Sequence, residues 1–433
     1  MWAKLLLLGS FAASVWAQED PKDLLLKVRA KVTQTVNRLP RYLCTQTIDR
    51  SIFLPEPRLV SFACDDLASR QRNRNRKLPI HSSDRLRLDV AISDHNEMYS
   101  WVGEGRFQDR SLSDIVRRGA ISTGAFSSLL ASIFTTDVAS FSYDGDSTVD
   151  GRTLVEFGFR VPAEKSEYTF GNRVHDVITG YKGTFDVDPS TYDLVRLIAE
   201  TDQLPPEVDA CEATTTLDYQ NVRLNGVRFL LPQEAQLSIL GRNGAESRNR
   251  TVFSGCHEFE GESTLVFDLQ PESGAAAGEK IQARAFVLAA GLPFTIALTQ
   301  SIDTATAAAG DVIRAKLTTN IRDKSGVIVS KGAAVTGRVA QIERLYGPSS
   351  QSLLLAVRLE TVDKDGRPQP FTARLTSSIQ PFARQSAGLR VREDLGSFDQ
   401  MEDPGLGFIQ FQNVNERYLI HSGLELSGQT FSR

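Results

Sequence analysis

The four cysteines carry the chemistry that is easiest to anticipate from this sequence. They are Cys44, Cys64, Cys211 and Cys256, and no two form the close C-x(2–4)-C pair of a zinc site. An even number favours disulfides, and four cysteines allow three pairings. A hairpin predicted around Leu54-Pro55-Glu56-Pro57 favours Cys44 with Cys64. The remaining Cys211–Cys256 bridge would join opposite ends of a three-strand meander, which argues against it, so the pairing stays open.

A second pattern is the alternation of arginines in the segment RQRNRNRK. The alternating residues are Arg70, Arg72, Arg74 and Arg76. In an extended chain they would point to one side and form a comb that binds phosphates or carboxylates. The competing interpretation is a solvated loop, because a run without apolar residues contributes nothing to a core.

Motifs for catalysis are missing from the sequence. The five histidines are scattered without an H-E-x-x-H pair, and there is no G-x-S-x-G elbow, P-loop or dinucleotide fingerprint. We therefore predict no catalytic residues, no metal and no cofactor. A convergent acid site at Asp186, Asp188 and Glu200 is a weaker hypothesis, since carboxylates near strand turns are usually solvated.

Large apolar residues offer a different kind of site. Residues 113–141 interrupt a series of predicted strands, and an apolar stripe at helical spacing predicts one or two short helices that cover a sheet like a lid. The side chains predicted to line a ligand pocket under this lid are Trp101, Phe107, Phe126, Leu130 and Phe134. The competing interpretation is that these residues are ordinary core.

The first seventeen residues indicate the compartment. Lys4 precedes a short apolar run, and Val15 and Ala17 are small residues at the −3 and −1 positions, so Met1–Ala17 is predicted to be a cleaved signal peptide. No later apolar run reaches the roughly 18 residues of a membrane span. The net charge of −4 predicts no general affinity for nucleic acid. We expect an exported protein, in the periplasm or associated with the outer membrane of a Gram-negative-type bacterium.

The elements that must position these residues are mostly strands. Residues 20–39 predict an amphipathic helix, with Asp20 as its cap and Pro40 as its stop. Alternating apolar residues and turn dipeptides such as Asn225-Gly226 then predict a long antiparallel meander. The predicted fold is mainly β: a large curved antiparallel meander sheet with an N-terminal helix and a short helical lid, followed by a small β-barrel or sandwich. The predicted boundaries are 1–17 for the signal peptide, 18–268 for the first domain, 269–285 for a flexible linker and 286–433 for the barrel.

The first domain resembles the LolA-like group, which includes the carriers LolA and LolB and the sensor RseB. The resemblance rests on the helix followed by a meander, and on the hairpin from Gly183-Thr184-Phe185-Asp186-Val187-Asp188-Pro189 to Leu194-Val195-Arg196-Leu197. It implies a half-open barrel in which helices cover an apolar cavity for acyl chains. Residues 113–141 would then be the lid.

The second domain is similar to the TrbI-like barrel of type IV secretion outer-membrane complexes. The similarity rests on the segment VSKGAAVTGR at 329–338, and on LLLAVRL at 353–359 followed by Asp365-Gly366. The chain lacks the transmembrane helix and proline-rich linker of complete members, so a shared barrel fold is expected rather than a shared role.

These observations lead to one expectation and one alternative. We expect a non-enzymatic envelope protein whose first domain binds an apolar or amphipathic ligand, such as a lipid or a lipoprotein acyl chain, and whose second domain docks an envelope protein partner. The alternative is a structural or scaffold component of an envelope or secretion complex that binds no ligand.

Overall fold

A computed structural model describes most of the chain in two parts. The described residues are 20–55, 63–75, 77–93, 96–104, 107, 112–116, 119–149, 151–172, 174–259, 286, 288–348, 350–376, 405–415 and 417–431. We call 20–259 the first region and 286–431 the second region. The predicted signal peptide and the linker 269–285 lie outside the described residues. No helix within the described ranges combines the length and hydropathy needed to cross a membrane.

Among the described residues, the α-helices lie in the first region. They are α1 (Pro21–Arg38), α2 (Cys64–Arg72), α3 (Leu112–Ile115) and α4 (Ser128–Leu130), which continues into a π-helical turn at Ala131–Thr135. The start of α1 is fixed by the Asp20 carboxylate, which accepts a hydrogen bond of 2.8 Å from the Lys22 N–H. Pro21 occupies the first turn, where its missing N–H costs nothing.

Twelve strands follow in the described part of the first region. They are β1 (Tyr42–Phe53), β2 (Ile80–Ser93), β3 (Asn96–Trp101), β4 (Ser140–Val149), β5 (Arg152–Val161), β6 (Thr169–Gly171), β7 (Asp176–Ile178), β8 (Tyr181–Val187), β9 (Leu194–Thr201), β10 (Ala210–Leu224), β11 (Val227–Gly241) and β12 (Glu246–Glu258). Ten of them form antiparallel neighbours in the order β3-β2-β1-β12-β11-β10-β9-β8-β5-β4. The mainly β fold predicted from the sequence, a large antiparallel sheet with few helices, is confirmed.

One face of this sheet is covered by α1 and by the segment 119–135, which we call the lid segment. Leu24, Val28 and Val32 of α1 pack with Ile133 and Phe134 against the strands. On the sheet side the cluster is aromatic, and Phe157 stacks on Phe185 with a centroid separation of 5.4 Å. We call this the covered face. A second apolar cluster on it is centred on β1, β2 and β12.

The second region is built from strands. They are β13 (Pro293–Leu298), β14 (Ile302–Asp303), β15 (Val312–Leu317), β16 (Ile321–Asp323), β17 (Gly326–Val329), β18 (Ala334–Tyr346), β19 (Gln351–Lys364), β20 (Arg367–Pro370), β21 (Ala373–Leu375), β22 (Leu406–Gln412), β23 (Leu419–Ile420) and β24 (Glu425–Thr430). Seven of them are antiparallel neighbours in the order β22-β19-β18-β15-β13-β24-β21. The two ends of this row meet, since a β-carbon at Gly407 of β22 would lie 2.3 Å from the Leu375 Cβ of β21.

The two regions share strand pairing. Residues 82–84 of β2 pair antiparallel with residues 343–345 of β18. Farther along β2, Ala309 accepts a hydrogen bond of 2.7 Å from the Arg87 N–H and donates one of 2.8 Å to the Arg85 carbonyl. The neighbouring Gly310 has φ +106°, and a β-carbon there would lie 2.2 Å from the Arg87 carbonyl oxygen and 2.9 Å from the Trp101 ring. Only glycine fits this joint.

The disulfides differ from the pairing that the hairpin argument favoured. Cys44 is bonded to Cys256, and Cys64 is bonded to Cys211. The hairpin predicted around residues 54–57 placed Cys64 at the end of its second strand, residues 58–64, and this is wrong at Cys64, which begins α2; residues 56–62 lie outside the described residues. The strands that flank β1 are β2 and β12. Closure of the sheet between β1 and β12 therefore brings Cys44 beside Cys256, which are 212 residues apart in sequence.

Candidate ligand-binding site

The lid segment is attached to the covered face by a carboxylate from β3. Glu97 accepts hydrogen bonds from the backbone N–H of Gly124 at 2.7 Å and of Phe126 at 3.1 Å, and a third from the Tyr99 hydroxyl. Three donors stabilise a partly buried charge that would otherwise be costly. Glu97 thus holds the lid backbone at Gly124 and Phe126, where this backbone does not pair with a strand.

The N-terminal end of the lid segment, at Ala120, is held by an ion pair on β1 and β2. The Arg50 guanidinium is 7% exposed and donates to the Asp84 carboxylate at 2.7 Å. Its Nη1 also reaches the Ala120 carbonyl at 3.5 Å, and the Asn249 amide donates to the same oxygen at 2.7 Å. Gly119 packs directly on the guanidinium, where a β-carbon would lie 2.6 Å from Nη1.

At the Glu97 attachment, Phe126 inserts its ring into the apolar interior. Its ring is 2% exposed and makes edge contacts with Tyr42 and Phe253, at centroid distances of 5.8 and 4.8 Å. The adjacent Ala125, like Ala235 of β11, contacts both apolar clusters of the covered face. Phe126 therefore occupies the place where the two clusters meet, on a segment that polar contacts fasten at two places.

Two tyrosine hydroxyls are buried near this point. Tyr42 is 0% exposed and Tyr219 is 8% exposed, and neither hydroxyl has a hydrogen-bond partner among the described residues. Burial raises the pKa of Tyr42, as do the charge of Glu97 and, more weakly, Tyr219. Burial and the charge of Glu97 likewise raise the pKa of Tyr219. Both hydroxyls are therefore neutral and able to donate a proton in a hydrogen bond.

The five predicted pocket residues are not brought together as one lining. Phe126 lies in the cluster of β1, β2 and β12, whereas Leu130 and Phe134 lie in the cluster under α1. Trp101 is partly buried and lies against Gly310, at the joint between the regions. Phe107 is half-buried and does not belong to the apolar clusters of the described residues.

The arginine comb does not form in the way the sequence predicted. Arg70 and Arg72 are exposed in helix α2, where residues two apart do not face the same side. Arg72 lies 3.9 Å from the Glu212 carboxylate, and Arg74 forms an ion pair with the fully buried Glu246. Arg76 lies outside the described residues. The extended chain that would have aligned these guanidiniums is replaced by a helix, which the disulfide of Cys64 joins to β10.

The carboxylates considered for an acid site have separate local contacts. Asp186 accepts a hydrogen bond from the Ser147 hydroxyl, Asp188 closes a turn, and Glu200 lies 3.9 Å from the Lys182 ammonium. In the described ranges, no three His, Cys, Asp or Glu side chains are grouped as metal ligands.

Sequence reasoning missed Glu97, Tyr42, Tyr219, Arg50 and Asn249. A signal for two of them was present in the strand alternation. Glu97 shares its side of β3 with Tyr99 and Trp101, and Arg50 shares the buried side of β1 with Tyr42 and Ile48. A charged residue at an apolar position of a strand requires a partner on that face.

No protein-family model and no curated protein matches the sequence. Among solved structures, the chain is similar to a DUF1329 family protein from Desulfovibrio piger, with 12% identity and a TM-score of 0.28, over 57% of this chain and 96% of that one. It is similar to a LolA superfamily protein from Nitrosomonas europaea, with 9% identity and a TM-score of 0.26, over 55% and 94% of the two chains. It is also similar to the Mycobacterium tuberculosis lipoprotein LppX, with 11% identity and a TM-score of 0.18, over 56% and 99%.

Proposed function

We propose that this is an exported, non-enzymatic envelope protein that binds an apolar or amphipathic ligand between the covered face and the lid segment. The ligand class is a lipid or the acyl chain of a lipoprotein. The observation that carries the proposal is the position of Phe126. This ring belongs to an irregular segment that polar contacts hold at two places, and it is buried where two apolar clusters meet.

A comparison of magnitudes favours displacement of this ring by an acyl chain. Burial of a Phe side chain contributes about 1.5–3 kcal/mol. Four hydrogen bonds join the lid to the sheet, two that Glu97 accepts from lid N–H groups and two that Arg50 and Asn249 donate, and each contributes a net ~1 kcal/mol. An acyl chain of about 14 methylenes gains roughly 11 kcal/mol at ~0.8 kcal/mol for each methylene. The ligand thus gains more on burial than the Phe126 ring does, so exchange of this one ring for an acyl chain is favourable.

The second region is proposed to act through its surface. Its interior is filled by its own side chains, such as Ile296, Val335 and Leu355, which are at most 1% exposed. Such an interior leaves little space for a ligand. Strand pairing with β2 fixes the region beside the lid-bearing sheet. We therefore propose that it docks an envelope protein partner, and that its similarity to the TrbI-like barrel is one of fold.

The proposed location is the periplasm or the outer membrane surface. It is supported by the two disulfides, Cys44–Cys256 and Cys64–Cys211, which persist in an oxidising compartment. The carboxylates of Asp186 and Asp188 accept local hydrogen bonds, and Glu200 lies in an ion pair with Lys182. These contacts support a role without a chemical step.

The first test is mass spectrometry of the protein purified from its native envelope. Native spectra followed by organic extraction should reveal a lipid or an acylated species bound with one-to-one stoichiometry. A protein that carries no such molecule, and that also binds none when methyl laurate is added in titration calorimetry, would contradict the proposal and favour the scaffold alternative.

A variant pair sharpens this test. Phe126→Ala removes the ring that competes with the ligand, so methyl laurate should bind about tenfold more tightly, which corresponds to ~1.4 kcal/mol. Phe371→Ala is the matched control, because Phe371 is also buried at 1% exposure but lies in the second region. Both variants should lose about 3–5 kcal/mol of folding free energy, but the control should bind methyl laurate like the wild type. An equal change in affinity for both variants would show that Phe126 is ordinary core.

A further inference from the structure

We infer that the covered face holds a polar subsite, formed by the Tyr42 and Tyr219 hydroxyls beside Glu97, that binds the neutral carbonyl oxygen of an acyl ester or amide. This inference rests on the proposed function and deepens it. It names the ligand class as a neutral acylated lipid or N-acylated protein, rather than a free fatty acid or a hydrocarbon.

The strand register places these groups on one face. Tyr42 of β1 is paired with Ile92 of β2, and Ile92 is paired with Glu97 of β3, so all three side chains lie on the same side of the sheet. Tyr219 belongs to the cluster on the same covered face, reached from β10. The ring of Phe126 contacts Tyr42 directly, so a ligand that displaces this ring is brought against Tyr42.

The two hydroxyls belong to a small set of buried polar atoms without a hydrogen-bond partner among the described residues, which also includes Gln46 Nε2, Thr215 Oγ1 and Asn249 Oδ1. Each is a hydrogen-bond donor and acceptor, yet neither has a partner among the residues that the structure describes. Buried polar groups are nearly always satisfied, and one without a partner lowers stability. By contrast, the hydroxyl of the equally buried Tyr181 lies 2.7 Å from the Ser132 hydroxyl. Tyr42 and Tyr219 therefore have hydrogen-bonding capacity that the fold itself does not use.

Charge decides which ligand oxygen suits this subsite. Glu97 already accepts from Gly124, Phe126 and Tyr99, and its negative charge disfavours a second carboxylate close by. The guanidinium on the same face, Arg50, is engaged by Asp84 and by the Ala120 carbonyl. Two neutral O–H donors beside a negative charge match an uncharged acceptor such as a carbonyl oxygen.

The experiment compares four ligands of one chain length by titration calorimetry at pH 8. These ligands are methyl laurate, N-methyl lauramide, laurate and dodecane. The wild-type protein should bind the ester or the amide at least tenfold more tightly than laurate and dodecane. The preference between ester and amide identifies the source, since an ester indicates a glycerolipid and an amide indicates an N-acylated protein.

Three Tyr-to-Phe variants test the residues. Tyr42→Phe and Tyr219→Phe should each weaken binding of the preferred carbonyl ligand about 3- to 10-fold, as expected for one hydrogen bond, and leave dodecane binding unchanged. Their melting temperatures should stay equal or rise, because a hydroxyl without a partner is removed. The matched control Tyr181→Phe should lower the melting temperature and leave the ratio of carbonyl ligand to dodecane unchanged.

The outcomes separate the two proposals. If none of the four ligands binds to the wild-type protein, the proposed function itself fails. If dodecane or laurate binds as tightly as the ester and the amide, the proposed function stands and the polar subsite is overturned. The subsite is also overturned if Tyr42→Phe and Tyr219→Phe keep the wild-type ratio, or if both lower the melting temperature as Tyr181→Phe does.

Discussion

The two regions fill the space against their strands in different ways. In the second region, aliphatic side chains such as Ile296, Val339 and Leu355 pack against one another. In the first region, the covered face includes an ion pair at Arg50, a carboxylate at Glu97 and the hydroxyl of Tyr42. A sheet that only needs a core has no use for such groups, since apolar residues of similar volume pack at no polar cost.

The second region also buries charged side chains, since Arg338 and Arg344 are 6% and 8% exposed. Arg338, however, donates to the Val102 and Gly310 carbonyls at the joint between the regions. The polar groups of the covered face instead contact the lid segment or the Phe126 ring, where we propose the ligand site.

The source of the covering also differs between the regions. The row of strands in the second region covers its own interior by bringing β21 against β22. The sheet of the first region is covered by α1 and by the lid segment, and the lid carries Phe126 on irregular backbone. Segments of this kind have the lower local stability that opening requires. A binding site is therefore expected in the first region, whose sheet is covered by α1 and the lid segment.

The largest expected effect comes from the disulfides, which distinguish the regions completely. All four cysteines lie between residues 44 and 256. Replacing Cys64 and Cys211 by Ser should lower the free energy of unfolding of the first region by about 3–5 kcal/mol, because the bond closes a long loop. Hydrogen exchange read by mass spectrometry should show faster exchange in 63–259 and little change in 293–375. Equal loss of protection in both regions would mean that they unfold as one unit.

A smaller effect is expected at the joint. Arg87 pairs with Asp311 across the two regions, with side chains 28% and 24% exposed. Because water still screens this pair, Arg87→Ala should cost about 1 kcal/mol, and a double-mutant cycle with Asp311→Ala should recover most of it as coupling. Exchange should rise at 82–84 and 343–345.

The control for the joint is Arg417→Ala. Arg417 pairs with Asp303 inside the second region and is 77% exposed, so its loss should leave exchange at 82–84 unchanged. A joint variant that behaves like this control would show that the Arg87–Asp311 pair does not contribute to the connection between the regions.

The smallest expected effect concerns two turns that the regions build alike. Burial would raise the pKa of Asp188, but hydrogen bonds from the Ser190 hydroxyl and N–H and from the Thr191 N–H outweigh it and lower the pKa. Hydrogen bonds from Ser325 lower the pKa of Asp323 in the same way. A carboxylate whose pKa is lowered by folding stabilises the fold above its ordinary pKa, and this contribution is lost as pH falls through the folded value.

Asp188→Asn should therefore cost roughly 0.5 kcal/mol or less at pH 7 and less at pH 2, because the carboxylate becomes protonated as the pH falls through its lowered folded pKa. Asp323→Asn should change with pH in the same direction. Urea midpoints at the two pH values give the comparison. A pH-independent cost at either position would contradict the assignment to carboxylate hydrogen bonds, and a large cost at Asp188 alone would mean that the hairpin supports the covered face.

Short-range patterns in the sequence predicted the elements whose causes are local. The cap at Asp20 and the stop at Pro40 fixed α1, and the Asn225-Gly226 turn, with φ of 47° and 84°, joins β10 to β11 as predicted. These features depend on residues within a few positions of each other, so a single segment contains the information.

The tertiary structure decided what depends on distant partners. Cys44 meets Cys256 because the first and last strands of the meander pair, and no local pattern encodes that closure. Arg70 and Arg72 lie in a helix because α2 packs and bonds against β10, where local charge alternation had favoured an extended chain. The roles of Glu97 and the two tyrosines arise only when the lid segment lies on the sheet. The sequence alone determined the strands and helices whose signals are local, such as α1 and the hairpin of β10 and β11, since propensity and periodicity act within one segment. The helix at 64–72 and the identity of each side chain's partner required the folded chain, since contact across the sheet is set by register and closure.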